Sequence, residues 1–124
     1  MRLVILGGPR TGKTTLARTF GTLGVPVVST DIYDDGRSWS AQSEAVAALF
    51  NAPGEWVIEG VTTVRALRKW MRAHAGKPCD KVIYLVTPYP PISKAQFTLL
   101  KGVAKVWVGV APELKRRGVE IELR

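Results

Sequence analysis

The sequence holds little for redox or metal-cage chemistry: one cysteine, Cys79, and one histidine, His74, among 124 residues. A lone thiol cannot close an internal disulfide, and Cys79, between Pro78 and Asp80, has no partner at metal-ligand spacing. Such a chain fits a reducing compartment, so a cytoplasmic protein is expected. Long apolar runs are missing too. No stretch reaches the roughly 18 residues of a membrane-spanning helix, and residues 1 to 6 are too short an apolar run for a secretory signal. The expectation is a soluble protein with no membrane partner.

Acidic residues are scarce, 10 against 18 Lys plus Arg, for a net charge of +8. The scarcity is local. Residues 1 to 60 carry five basic and six acidic side chains, whereas residues 61 to 124 carry thirteen and four, so the halves stand at −1 and +9. An anionic partner suits the second half, as does a merely solvated basic surface. Arginine has its own gap, with none between Arg72 and Arg116.

What is present begins with length. A chain of 124 residues, 46% apolar, can bury one core and not two, so residues 1–124 read as a single domain. Near its start, Gly7-Gly8-Pro9-Arg10-Thr11-Gly12-Lys13-Thr14-Thr15 satisfies G-x-x-x-x-G-K-[ST]. An apolar run, Leu3 to Leu6, precedes it, and a helical stretch from Leu16 follows. A phosphate loop needs this context: a buried strand, a turn whose backbone N–H groups converge on an anion, and a helix whose positive end faces it. Gly8 through Thr15 would then contact the nucleotide, with Lys13 reaching the β- and γ-phosphates and the Thr14 hydroxyl on Mg²⁺. The pattern arises by chance in well under roughly 1% of chains this long, so this reading is preferred to an ordinary glycine turn.

Strand signals recur at spacings that leave room for one helix each: Arg2–Leu6, Val25–Thr30, Trp56–Glu59, Lys81–Thr87 and Val119–Leu123. The middle three read as strands buried on both faces, and the last as an edge. Helical patterns run from Lys13 to about Leu23, from Ser40 to Phe50, and from Thr63 to Ala75 with Val64, Leu67 and Met71 on one stripe. A fourth starts at Ser93, where Gln96 completes a capping box, and is expected to break or kink at Gly102 and Pro112. Alternating strands and helices imply an α/β fold, a parallel sheet with helices on both faces and ligands at the carboxyl ends of the strands.

That rule selects candidates. Glu59 ends the third strand and could hold the magnesium shell, position an acceptor, or simply cap the strand. Asp31 ends the second and could take the proton of an attacking hydroxyl. Lys13, Asp31 and Glu59 are the catalytic candidates, and Thr14 with Glu59 the metal ligands. Asp34 and Asp35 read as loop residues. Arg65 either clamps an acceptor phosphate or is one of several exposed helix charges. Arg10 either turns away from the phosphates or adds charge to them. Lys94, Lys101 and Lys105 lie where a closing lid could carry them over the nucleotide, and Lys101 joins Asp31 and Arg65 as a substrate-binding candidate. Tyr89, Phe97 and Trp107 read as packing residues, and His74 as a partner of a helix end or of solvent.

The phosphate loop, then Ser29-Thr30-Asp31, then Trp56-Val57-Ile58-Glu59-Gly60, resemble the nucleoside- and nucleotide-kinase-like branch of P-loop NTPases. That branch includes adenylate-kinase-like proteins, shikimate and gluconate kinases, polynucleotide 5′-kinases and topology modulation proteins. The resemblance covers residues 1 to 87 by motif order and the rest by element order. It implies a three-layer αβα fold with a five-stranded sheet of order 2-3-1-4-5, an acceptor or metal role for Asp31, and ATP or GTP with Mg²⁺. Family kinases place arginines in the lid, where this chain has lysines. The activity it implies is transfer of the γ-phosphate to a hydroxyl of an anionic acceptor: a nucleotide, a nucleoside or a nucleic-acid end. The rival is a nucleotide-binding switch or slow ATPase that acts through a protein or nucleic-acid partner.

Overall fold

The computed structural model describes all 124 residues. Five strands, β1 (Arg2–Gly7), β2 (Val27–Ser29), β3 (Trp56–Glu59), β4 (Lys81–Leu85) and β5 (Glu120–Leu123), form one parallel sheet in the order β2-β3-β1-β4-β5. Four α-helices connect them: α1 (Lys13–Gly21), α2 (Trp39–Leu49), α3 (Thr63–Ala73) and α4 (Lys94–Arg116). The α/β class, the five parallel strands and their order are those expected.

Side-chain alternation divides the sheet into two faces. Val4 and Leu6 of β1, Ile58 of β3, and Val82 and Tyr84 of β4 join Val46 and Phe50 of α2, Leu67 and Met71 of α3, and Val103 and Val110 of α4 in a cluster of 18 buried residues. The opposite residues, Leu3, Ile5, Val57, Ile83 and Leu85, join Ala17 of α1 in a cluster of six, with Leu16 and Phe20 of the same helix and Val25 before β2 packed against it. On β5 the side facing away from α4 is charged. Glu122 pairs in register with Ile83, and the half-buried Lys81 ammonium reaches Glu120 Oε2 at 3.0 Å and Glu122 Oε1 at 2.9 Å. That side therefore reaches water without a covering helix.

Two expectations change. β2 is an exposed edge, three residues long, rather than a strand buried on both faces. Pro26 has no N–H to give the ladder, and its carbonyl accepts from Val57 N at 2.8 Å just before the strand begins. Beyond Ser29 the chain tightens into a 3₁₀ turn over Thr30–Tyr33. The fourth helix does not break at Gly102 or at Pro112; it runs for 23 residues with Pro112 inside it. Val103, Val110 and Leu114 anchor it on the sheet side of both residues. The carbonyl that Pro112 leaves without an N–H belongs to Val108, which is exposed and can be served by water. At its start, Ser93 and Gln96 exchange the two hydrogen bonds of the capping box, at 3.1 and 2.9 Å. The carboxyl edges of β1, β2 and β3 and the start of α4 thus meet around one loop.

Candidate functional site

Gly8 to Gly12 link the buried end of β1 to α1. Gly12 takes φ +92° at the helix N-cap, a conformation that L side chains rarely adopt. The first turn of α1 carries no side-chain cap, so its N–H groups face the space inside the loop. Lys13 is buried, and its Nζ donates to the Gly8 carbonyl at 2.6 Å and to Thr11 Oγ1 at 3.4 Å. Thr11 Oγ1 in turn donates to the same carbonyl at 2.9 Å. Burial pulls the Lys13 ammonium below its ordinary pKa, while the carboxylates of Glu59 and then Asp31 oppose that fall. Lysine and both acids therefore share one field.

Glu59 closes β3 and is only 2% exposed, without a cation in salt-bridge contact. Its Oε1 lies 3.4 Å from the Thr14 hydroxyl, which donates to it. A buried carboxylate beside a hydroxyl fits a hard dication such as Mg²⁺, which keeps several waters and takes its other oxygens from phosphates. No group of three or more His, Cys, Asp or Glu side chains forms a closed cage. Glu59 is placed by a close approach behind it: Gly60 has φ +147°, and a Cβ there would stand 1.7 Å from Thr30 Oγ1. Only glycine lets the ends of β2 and β3 meet, which brings exposed Asp31, the next residue after Thr30, to the same edge.

The remaining candidates divide. Arg10, at φ +61°, turns outward. Its Nε donates to the Tyr89 carbonyl at 3.0 Å, and its own carbonyl accepts from Tyr89 N at 2.7 Å. Arg65 lies 5.4 Å above the Trp39 ring, with a guanidinium nitrogen 3.5 Å from where a Cβ on Gly102 would be. Lys101 sits on the exposed side of α4, 5.4 Å over Phe97. Lys94, Lys101 and Lys105 thus ride on a helix packed to the core, not on a separate lid. Instead α4 seats directly on the phosphate loop: a Cβ on Gly8 would stand 2.4 Å from Leu100 Cδ1 and 2.9 Å from Leu100 Cα.

Sequence reasoning misplaced two aromatics as packing residues. Tyr89 is 68% exposed and Phe97 48% exposed, while Trp107 does pack, edge-on against Tyr84 at 5.0 Å. The Tyr89 ring edge stands 3.5 Å from the Cβ position of Gly12. It borders a cavity of about 680 Å³ lined also by Thr15 and Thr19 of α1, by Thr87 and by Arg124. The available signal was Thr87-Pro88-Tyr89 just past a strand end, where ligands sit in such sheets. His74 stacks on Trp70 at 4.6 Å, with Nδ1 3.1 Å from the Trp70 carbonyl at the end of α3. Asp35 is held by Arg37 and stays in its loop.

No family model matches the chain, and no curated protein matches it by sequence. Among solved structures it is similar to the shikimate kinase of Bacteroides thetaiotaomicron, at TM-score 0.50 and 14% identity over 98% of this chain and 85% of that one. It also aligns with a "putative kinase" of Chloroflexus aurantiacus, at TM-score 0.43 and 17% identity over 96% and 71%. With its strand order and the loop between β1 and α1, the likeness to the shikimate kinase shows that this chain has the P-loop nucleotide-kinase-like fold.

Proposed function

We propose that this protein is a phosphotransferase that moves the γ-phosphate of ATP or GTP to a hydroxyl of an anionic acceptor, such as a nucleotide, a nucleoside or a nucleic-acid end. The observation that carries it is the convergence of Lys13, Thr14, Glu59 and Asp31 at the carboxyl edge of β1, β2 and β3. Phosphoryl transfer asks a protein for little covalent chemistry; it needs a cradle, positive charge and a group that orients the acceptor.

In this reading the backbone N–H groups before α1 receive the phosphate chain, and Lys13 exchanges its bond to the Gly8 carbonyl for a phosphate oxygen. Thr14 and Glu59 would hold Mg²⁺, whose charge offsets that on the phosphates when it is bound. Asp31 accepts a hydrogen bond from the acceptor hydroxyl and takes its proton as the oxygen attacks. The base of the nucleotide lies in the cavity between α1 and Tyr89. The basic second half favours an acceptor that already bears phosphate. Nothing in the geometry favours the switch reading over transfer.

The test is a screen with labelled ATP and GTP against nucleosides, nucleotides, sugars and 5′-hydroxyl oligonucleotides, run with two variants. Lys13→Ala should lower turnover by a factor on the order of 10² or more. Asp31→Asn should spare nucleotide affinity in calorimetry and cut transfer by about 10² to 10⁴. Undiminished transfer in the Asp31→Asn protein would remove that residue from the mechanism. No transfer to any acceptor by the wild-type protein, with nucleotide still bound, would leave the switch.

A further inference from the structure

We propose that the groove between α3 and α4 binds the sugar–phosphate backbone of a single-stranded nucleic acid. The groove has a volume of about 410 Å³. Its floor is Met71 and Val110, both buried, and its walls carry Arg68 and Arg72 from one helix and Lys105 from the other. Three observations point to a phosphate chain.

The first is an unspent donor. Arg68 Nε is buried and has no hydrogen-bond partner, alone among the buried side-chain nitrogens and oxygens of the protein. A buried polar group without a partner is costly, so an acceptor reaching it is strongly favoured. The second is the absence of competing acid. Between Glu59 and Glu113 the chain has a single acidic residue, Asp80. Asp80 lies at the start of β4 and accepts from Arg2 N at 2.7 Å. Glu113 lines the far end of the groove, but Arg116 and Arg117 both hold it and keep its carboxyl below its ordinary pKa. The cations of the groove therefore face no free carboxylate.

The third observation is their arrangement. Arg68 and Arg72 are one turn apart on α3, as are Lys101 and Lys105 on α4, so each helix offers charges about 6 Å apart along a rail. This spacing suits successive phosphates of an extended strand. At the end nearer the phosphate loop, Arg65 with Trp39 and Lys101 with Phe97 set exposed rings beside the cations. Aromatic faces interleaved with a basic groove are how proteins hold single strands, by stacking bases while tracking the backbone. A duplex is too wide to enter a cleft between two packed helices. A membrane surface is flat and would not reach the buried Arg68 Nε. The inference goes beyond the transfer reaction, because a strand bound here need not be the acceptor.

The experiment is fluorescence anisotropy with a labelled single-stranded oligonucleotide of about twelve nucleotides, within the usual site-size range, titrated at several salt concentrations. With three or four phosphates neutralised at about 0.7 each, log K should fall against log salt with a slope of about −2 to −3. The paired change Arg68→Gln with Lys105→Glu removes two cations and should weaken binding roughly tenfold or more and shrink the slope by about 1.4. Lys115→Glu, at an exposed position on the same helix outside the groove, should leave binding within about twofold, as a charge making no phosphate contact does. Lys13→Ala should bind the strand like wild type even where nucleotide transfer is lost, which separates failure of this proposal from failure of the kinase reading. Circular dichroism of each variant verifies folding, and Lys105→Glu alone, at an exposed site, serves if the Arg68 change unfolds the chain. The proposal is overturned by an absence of salt-dependent binding, or by equal weakening from Lys115→Glu and the groove pair. It is likewise overturned if Lys13→Ala abolishes strand binding, if duplex of the same length binds as tightly, or if anionic phosphatidylserine vesicles bind through these residues and the oligonucleotide does not.

Discussion

The two faces of the sheet are built on different terms. One carries α2, α3 and α4 over a cluster of 18 buried residues; the other carries α1 alone over six. The strands already differ in the same sense. β5 gives Ile121 to the thick side, whereas Glu120 and Glu122 lie on the other and meet Lys81. The thin face is polar where no helix covers it, so it needs no cover. Folding energy is concentrated on one side of the sheet, and the cavity bordered by α1, Leu85 and Arg124 opens on the other. The face that holds the protein together is not the one on which that cavity opens.

Core truncations should break or sharpen this contrast most. Leu67→Ala, on the thick face and fully buried, should cost about 3 to 4 kcal/mol in urea unfolding, with transfer and cavity terms acting together. Leu16→Ala, partly buried on the thin face, should cost about 1 kcal/mol. Equal losses would erase the asymmetry.

A smaller effect is expected at the open mouth of the thin face. Tyr89→Ala removes an exposed ring and almost no core, so the melting temperature should hardly move while nucleotide affinity falls about tenfold, the scale of one lost stacking contact. Calorimetry with ATP checks this. Unchanged affinity would mean that the base lies elsewhere.

The smallest effect concerns the charges that replace a helix on β5. Arg124 first, and then Lys81, hold Glu122 down from its ordinary 4.5 to about 2. A depressed carboxyl stabilises the fold above its unfolded pKa and loses that contribution as pH falls through the folded value, here between about 4.5 and 2. Glu122→Gln should therefore lose a small part of the stability at neutral pH, as expected of an exposed pair, and flatten the acid slope in that window by the same small amount. Unfolding curves collected from neutral to acid pH test it; an identical slope in the variant would show the pair to be decorative.

Much of this was legible in the sequence. The loop motif between an apolar run and a helix placed Lys13 and Thr14, because strand, turn and helix dipole are local and their residues adjacent. Strand order came from the resemblance, and Asp31 and Glu59 were selected because parallel sheets put their ligand edge at the strand ends. What escaped was non-local. The order implied by the resemblance already puts β2 at an edge; the apolar run Val25-Pro26-Val27-Val28, read alone, suggests burial on both faces because neighbours in the sheet are not encoded in it. An unbroken α4 does not follow from propensity at Gly102 and Pro112, because it depends on the buried anchors Val103, Val110 and Leu114. Tyr89 runs against the average preference of an aromatic ring for burial, and its backbone is tied at the surface by two bonds to Arg10.

The seat of α4 on the phosphate loop carries a consequence for how the chain can vary. In G-x-x-x-x-G-K-[ST], position 8 is one of the free letters, since phosphate binding there uses only backbone. Here the letter is not free. Trimming Leu100 to alanine would clear its Cδ1, but the Cα at 2.9 Å belongs to the helix itself and remains. No change of side chain at position 100 can license a larger residue at position 8. A constraint that looks chemical from the motif is architectural in origin, imposed on the loop by a helix from the far end of the chain. A mutational scan would find it as an intolerance at Gly8 that no single partner substitution rescues.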